Sequence, residues 1–193
     1  DRVRVFASAE KGIDIRPAGE DVKRGELVIP KGKVIRPAEV GMLAALNRRD
    51  IAVYERPKVA VLSTGDELVD IGGELVPGKI MNSNSYSLAA LVTDCGAVPL
   101  RLGIARDRRE DLLSKFEAAG GADLIVTSGG VSVGDYDLVK HVMGELGAMH
   151  FWSVAMRPGK PLAFGAIGGV PVFGLPGNPV SVMVSFEQFV RPA

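Results

Sequence analysis

Four short stretches bring together residue types that can do chemistry. Ser63-Thr64-Gly65-Asp66-Glu67-Leu68 carries two carboxylates and two hydroxyls at the end of an apolar run. A polar turn of this kind caps its own backbone. The same residues also place Asp66 or Glu67 beside a cation or a polar ligand group. Ser128-Gly129-Gly130-Val131-Ser132-Val133-Gly134 packs three glycines and two serines into seven residues, more than a tight turn needs. Glycines let backbone N–H groups approach an anion at a helix start, so this stretch reads as a phosphate or nucleotide site. Asp137 then stands where it can hold a magnesium ion against such phosphates. The stretch is neither a Walker A loop nor a GxGxxG fingerprint. Arg157-Pro158-Gly159-Lys160-Pro161 holds two cations in a loop stiffened by prolines, which lowers the entropy lost on engaging an anion. The plainer alternative is a solvated turn. Leu175-Pro176-Gly177-Asn178-Pro179-Val180-Ser181 predicts a helix start, with Asn178 as cap and Pro179 in the first turn. Asp107 predicts an N-cap with Glu110 three residues on, and it also offers a third acid.

These loops need a scaffold that aims them at one place. Lys58 to Ser63 is a nearly continuous apolar run with β-branched residues, the pattern of a strand covered on both faces. Strand-like runs follow at 98–104, 123–127, 149–154, 161–167 and 170–175. Helical spacing covers 85–95, 107–119, 135–146 and 180–190. Strands alternating with helices predict an α/β fold with a mainly parallel sheet. In such sheets ligands bind beyond the carboxyl ends of the strands, so the four loops and Asp107 are expected at one edge. Residues 1–36 are different: Ile13-Asp14-Ile15, Leu27-Val28-Ile29 and Val34-Ile35 stand between turn signals and predict short strands. A helix is expected over 37–47 and a strand over 51–54. The expected division is therefore 1–56, a small β-rich segment with its connecting helix, and 57–193, the α/β domain. Cys95 and Trp152 are expected to pack, and His141 and His150 to serve packing or surface roles.

Composition narrows the function classes. The 193 residues are 47% hydrophobic and 24% charged, which is enough apolar side chain to build a core. Lys plus Arg and Asp plus Glu are both 23, so the chain has no net basic charge to bind a polyanion, and 6% aromatic residues offers little base stacking. One cysteine and two histidines exclude an intrachain disulfide and a cysteine-based zinc site, and make a Ser-His-Asp triad improbable. No 18-residue apolar run or signal-peptide pattern is present. The expectation is a cytoplasmic protein with no nucleic-acid or membrane partner. The chain opens on Asp1 inside strand-like text and closes just after a helical pattern, so a piece of a longer protein is expected.

Taken together, the loops resemble the MoeA-type molybdopterin molybdotransferases, the family of the gephyrin E domain. The motifs that carry the resemblance are STGDEL (63–68), GKIMNSNSY (78–86), SGGVSVGDYD (128–137), RPGKP (157–161) and LPGNPVS (175–181), with IRPAGEDVKRGELV (15–28) upstream. The resemblance implies a three-layer molybdopterin-binding-like domain. It also implies that molybdate is inserted into adenylylated molybdopterin, with release of AMP and help from magnesium. The family's acidic residues fall on Glu67, Asp107 and Asp137, with Glu67 and Asp137 on the metal. Pterin and nucleotide contacts are expected from Thr64, Gly65, Asp66, Ser128, Gly129, Gly130, Ser132, Gly134, Pro176, Gly177, Asn178 and Pro179. Molybdate contacts are expected from Arg157, Lys160 and Ser181. Arg157 stands where the family usually has Lys, and its planar fork changes the oxyanion geometry. The resemblance further implies a homodimer with the site between subunits, an upstream molybdopterin adenylyltransferase, and flanking portions at both ends. A non-catalytic pterin-binding module or scaffold of the same fold is the alternative, against which the retained acids and cations argue.

Overall fold

In the computed structural model, which describes residues 2–8, 10–131 and 138–193, the elements run α1 (Pro37–Ala45), β1 (Lys58–Thr64), β2 (Leu68–Val69), β3 (Ile80–Met81), α2 (Asn84–Asp94), β4 (Val98–Ala105), α3 (Arg109–Ala118), β5 (Leu124–Ser128), α4 (Leu138–Leu146), β6 (Gly147–Ser153), β7 (Pro161–Ile167), β8 (Val170–Leu175) and α5 (Pro179–Ser185), with a π-helical turn at Phe186–Val190. Packing divides the chain into two compact units, residues 1–53 and 54–193.

The second unit is built on a six-stranded sheet in the order β4-β1-β5-β8-β7-β6. Strand β1 pairs parallel with β4 and β5, and β5 parallel with β8. Strand β7 runs antiparallel to both β8 and β6. It is therefore the one reversed strand of six. Its amino end, Pro161, lies at the same edge as the carboxyl ends of β1, β5 and β8.

Alternation along β1 explains the layers. Val59 and Val61 pack on one face with Leu88 and Val92 of α2 and Val182 of α5. Ala60 and Leu62 pack on the other with Leu112 and Phe116 of α3 and Val139, Val142 and Met143 of α4. Each fully buried Leu or Val here contributes about 1.5–3 kcal/mol of transfer free energy. Two apolar faces with helices over each make three layers, the α/β class with a mainly parallel sheet expected from the sequence.

Several local expectations are corrected. The described part of residues 1–36 contains no strand. Its apolar pairs are separated by i→i+3 turns at Ile13–Glu10, Ile15–Gly12, Glu20–Pro17, Glu26–Lys23 and Lys33–Pro30. Runs of two or three residues between such turns are too short to form a ladder with one another. Residues 51–54 likewise form no strand. Helix α3 starts at Arg109, and its N-cap, Arg108, makes no side-chain cap. Asp107 does not cap it, because it is engaged with the loop after β1. Cys95 is exposed: it is the C-cap of α2, where the buried stripe through Leu88 and Val92 ends. Trp152 is 48% exposed on the edge strand β6, stacked between His150 at 5.6 Å and Phe164 at 6.5 Å. His141 is on the surface of α4, 3.1 Å from Glu145.

Candidate functional site

The carboxyl edge of the sheet holds a cavity of about 480 Å³. Thr64 at the end of β1 with Gly65 and Glu67 from the loop after it, Gly129 and Gly130 from the loop after β5, and Pro176 and Gly177 from the loop after β8 line it. Asp107, beyond β4, and Pro161, at the start of β7, complete that wall with Val131 and Leu138. Eight of the residues expected at a site are thus brought together. A somewhat larger hollow, about 570 Å³, lies within the first unit between Gly19, Lys23, Arg24 and Arg48. We place the site at the smaller one, where the chemistry-bearing loops converge.

Local physics explains the convergence. Ser63 and Ser128, buried at the ends of adjacent parallel strands, share a hydrogen bond of 3.1 Å between their hydroxyls. The hydroxyl of Thr64 donates to the Ser128 carbonyl at 3.4 Å. Gly129 has φ +89°, and a Cβ there would lie 2.7 Å from the Thr64 carbonyl oxygen. Only glycine lets these two loops approach this closely. The Gly129 amide donates to the Leu175 carbonyl at 3.0 Å, which joins the third loop to the second.

The acidic wall has its own bracing. The Asp66 amide donates to Asp107 Oδ2 at 3.3 Å, and the Asp107 amide donates to Asp66 Oδ1 at 3.2 Å. This reciprocal pair holds Asp107 against the β1 loop. Glu67 follows in the turn, and its carboxylate sits where a Cβ on Gly65 would collide with it. No hydrogen bond or ion pair joins the Glu67 side chain to another described residue, which leaves its oxygens available.

The other expected residues are placed as follows. Ser128 is buried and serves the Ser63 bond. Asn178 caps α5, its side-chain oxygen accepting from the Val180 amide at 3.0 Å and the Ser181 amide at 3.4 Å. Pro179 opens that helix, and Ser181 is buried within it. Arg157 and Lys160 are exposed on the loop before β7, with no side-chain partner among the described residues. Gly159 between them is buried, and a Cβ there would meet Ser185 Oγ at 3.0 Å. Asp66 lies beside the cavity through its bonds to Asp107. Ser132, Gly134 and Asp137 lie outside the described residues.

Sequence reasoning passed over several residues. Asn84 opens α2, and its Nδ2 donates to the Gly177 carbonyl at 2.8 Å, tying the cavity wall to that helix. Its Oδ1 is buried with no hydrogen-bond partner among the described residues. Arg106 and Lys79 both reach the backbone of the Glu67 turn. The signal for Arg106 lay beside Asp107 in the same loop, but a cation bonding to carbonyls leaves no trace in spacing.

The donor set suits a hard cation. Glu67 and Asp107 offer oxygen only, and magnesium takes one or two carboxylates while keeping several waters. Among the described residues, no three His, Cys, Asp or Glu side chains gather into a metal cluster. No helix among them is long and apolar enough to cross a membrane.

Comparison with known proteins matches both parts of the chain. A model of a probable molybdopterin binding domain matches residues 60–193, and one of the MoeA N-terminal region (domain I and II) matches residues 1–47. A molybdopterin molybdenumtransferase of Haemophilus influenzae is 42% identical over 180 residues, covering 93% of this chain and 45% of that protein. Molybdopterin molybdenumtransferase 2 of Mycobacterium tuberculosis is 44% identical over 201 residues, covering 100% of this chain and 49% of the relative. The chain therefore spans about half the length of the curated relatives it matches. A solved molybdopterin biosynthesis MoeA protein of Pyrococcus horikoshii superposes with a TM-score of 0.80 at 38% identity, over 90% of this chain and 44% of that one.

Proposed function

Because this chain belongs to the MoeA-type molybdopterin molybdenumtransferase family, we propose that it acts in molybdenum cofactor biosynthesis, taking adenylylated molybdopterin and molybdate and releasing AMP. The observation that carries this reading is the meeting of the β1, β5 and β8 loops in one cavity, with a carboxylate on one wall and two cations on the neighbouring loop that have no side-chain partner among the described residues.

Each wall has a task. Backbone N–H groups of the glycine-rich loop face the phosphates, where glycine permits close approach. Glu67 and Asp137 would hold magnesium with its waters, and Asp107 adds a third acid. A magnesium ion held there would supply charge neutralisation for cleavage of the phosphoanhydride. Arg157 and Lys160 hold molybdate, a tetrahedral dianion, through charge-assisted hydrogen bonds. Ser181 and the Pro176–Pro179 loop border that position. The chain supplies placement and charge, and no side chain is assigned as a nucleophile.

The proposal extends to assembly. No described residue of the first unit is buried, and Val3, Phe6 and Leu27 are each more than three-quarters exposed. Apolar side chains left this open support a homodimer in which that unit is covered. An upstream molybdopterin adenylyltransferase supplies the substrate, and the setting is cytoplasmic.

Calorimetry with adenylylated molybdopterin tests the site. Binding is expected to weaken when magnesium is withheld, and to weaken equally in Glu67→Gln or Asp137→Asn with magnesium present. The same affinity under all these conditions removes the metal assignment.

A further inference from the structure

The backbone on both sides of Glu67 is held by side chains to which the reading above gives no task. Leu68 N donates to the Gly65 carbonyl at 3.4 Å, closing a turn around Asp66 and Glu67. The next three carbonyls all accept hydrogen bonds. Asp66 O takes one from Lys79 Nζ at 2.7 Å and another from Arg106 Nη1 at 3.1 Å. Glu67 O takes the Ile80 amide at 2.8 Å. Leu68 O takes the same Arg106 Nη1 at 2.9 Å. A single guanidinium nitrogen, with its two hydrogens, therefore bridges the carbonyls before and after Glu67.

Arg106 is itself fixed. It is partly buried, and its amide donates to Asp111 Oδ2 of α3 at 2.6 Å. The guanidinium spends its Nη1 hydrogens on backbone carbonyls, while the Glu67 carboxylate next to them has no partner among the described residues. This arrangement fixes the direction of an acid without neutralising it. An ion pair to Arg106 would orient Glu67 just as well, but it would also compete with any cation for the same oxygens.

We infer that Arg106 is a positioning residue: by pinning the carbonyls that flank Glu67, it sets the Glu67 carboxylate into the cavity and keeps it free to bind a divalent cation. The inference rests on the reading of Glu67 as a metal ligand. Arginine suits the task because its planar fork serves two acceptors at a fixed angle, whereas an ammonium group is a point charge. Lys79 braces only the first of the two carbonyls.

A double-mutant cycle tests it on the whole chain, with Arg106→Ala, Glu67→Gln and the pair. One readout needs no metal: hydrogen exchange of the segment 64–70. The other is Mn2+ titrated by electron paramagnetic resonance with AMP present. Arg106→Ala is expected to speed exchange in that segment about tenfold while β5 and β8 keep their protection. It is expected to weaken Mn2+ binding about tenfold, and to add nothing further in the Glu67→Gln background. Arg106→Lys, which keeps the charge and a donor, is expected to recover part of the loss. Unchanged Mn2+ affinity in Arg106→Ala beside a loss in Glu67→Gln overturns the role of Arg106 and leaves the metal reading standing. A full additional loss in the Glu67→Gln background also overturns it, as does faster exchange spreading through β5 and β8. Mn2+ binding in Glu67→Gln as tight as in the parent overturns the metal reading itself, and the inference falls with it.

Discussion

The acidic turn after β1 and the cationic loop before β7 meet the same cavity edge but are held in opposite ways. Around Glu67, three successive carbonyls accept from Lys79, Arg106 and the Ile80 amide, and Asp66 and Asp107 each donate an amide to the other's carboxylate. Around Lys160 no side chain of a described residue hydrogen-bonds to either cation. The Val154 amide donates to the Lys160 carbonyl at 2.7 Å, and Gly159 is buried against Ser185, while both cationic side chains extend into solvent. The difference fits the roles proposed for the two charges. A carboxylate that ligates a metal needs a fixed direction, whereas cations that hold a tetrahedral dianion work as charges that close around it, losing rotamer freedom when they do. One wall is preorganised and the other adapts.

The contrast can be broken at its tightest point first. Gly129→Ala sets a Cβ 2.7 Å from the Thr64 carbonyl oxygen at φ +89°, and that oxygen, being backbone, cannot turn aside. A stability loss of about 2–4 kcal/mol in urea unfolding is expected. Gly159→Ala, at φ +100° with a Cβ 3.0 Å from Ser185 Oγ, meets a side chain that can turn aside, so the loss is about 1–2 kcal/mol. If Gly159→Ala proves the more damaging, the cationic loop is the rigid wall and the comparison is reversed.

Asn178→Ala removes the cap of α5 and is expected to cost about 1 kcal/mol by the same measurement. Tyr86→Phe sharpens the picture farther along the acidic side. The Tyr86 hydroxyl donates to Asp70 Oδ1 at 2.8 Å and is the largest of the influences that hold this carboxyl below the ordinary aspartate value, ahead of the Ile71 amide and the charge of Arg101. Because Asp70 is substantially exposed, the loss is expected to be no more than about 0.5–1 kcal/mol at neutral pH. A depressed folded pKa contributes stability in full above the ordinary value of about 4, and that contribution is lost as pH falls through the lower folded value. The parent and Tyr86→Phe are therefore expected to differ at pH 7 and to converge in acid. Lys160→Ala comes last in stability, within about 0.5 kcal/mol of the parent, while its equilibrium binding of molybdate weakens.

Sequence pattern alone located several elements of the second unit. Strands β7 and β8 fall on their expected residues, because alternation and bounding glycines mark both ends. Asn178 caps α5 as its type and its neighbour Pro179 predict. The reversed direction of β7 is not written in its residues: it comes from a short Gly168-Gly169 connection to β8. The first unit was misjudged for a different reason. Its β-branched pairs carry strand propensity, but propensity is a statement about fitting a sheet, and the described residues of that unit include no strand to fit against. Asp107 shows the limit at the site. Its spacing to Glu110 matches a helix cap, yet two amide bonds across to Asp66, 41 residues away, hold it elsewhere. Tertiary contact overrode a local signal, and the same contact brought an acid to the cavity.

The central claim is that loops far apart in the chain form one binding surface. Amide NMR of the chain titrated with adenylylated molybdopterin and magnesium tests it most directly. The account predicts that the largest shifts fall together on Gly65, Glu67, Gly129, Gly130 and Gly177. Shifts confined to one of those loops, or centred on the hollow around Lys23 and Arg48, would contradict it.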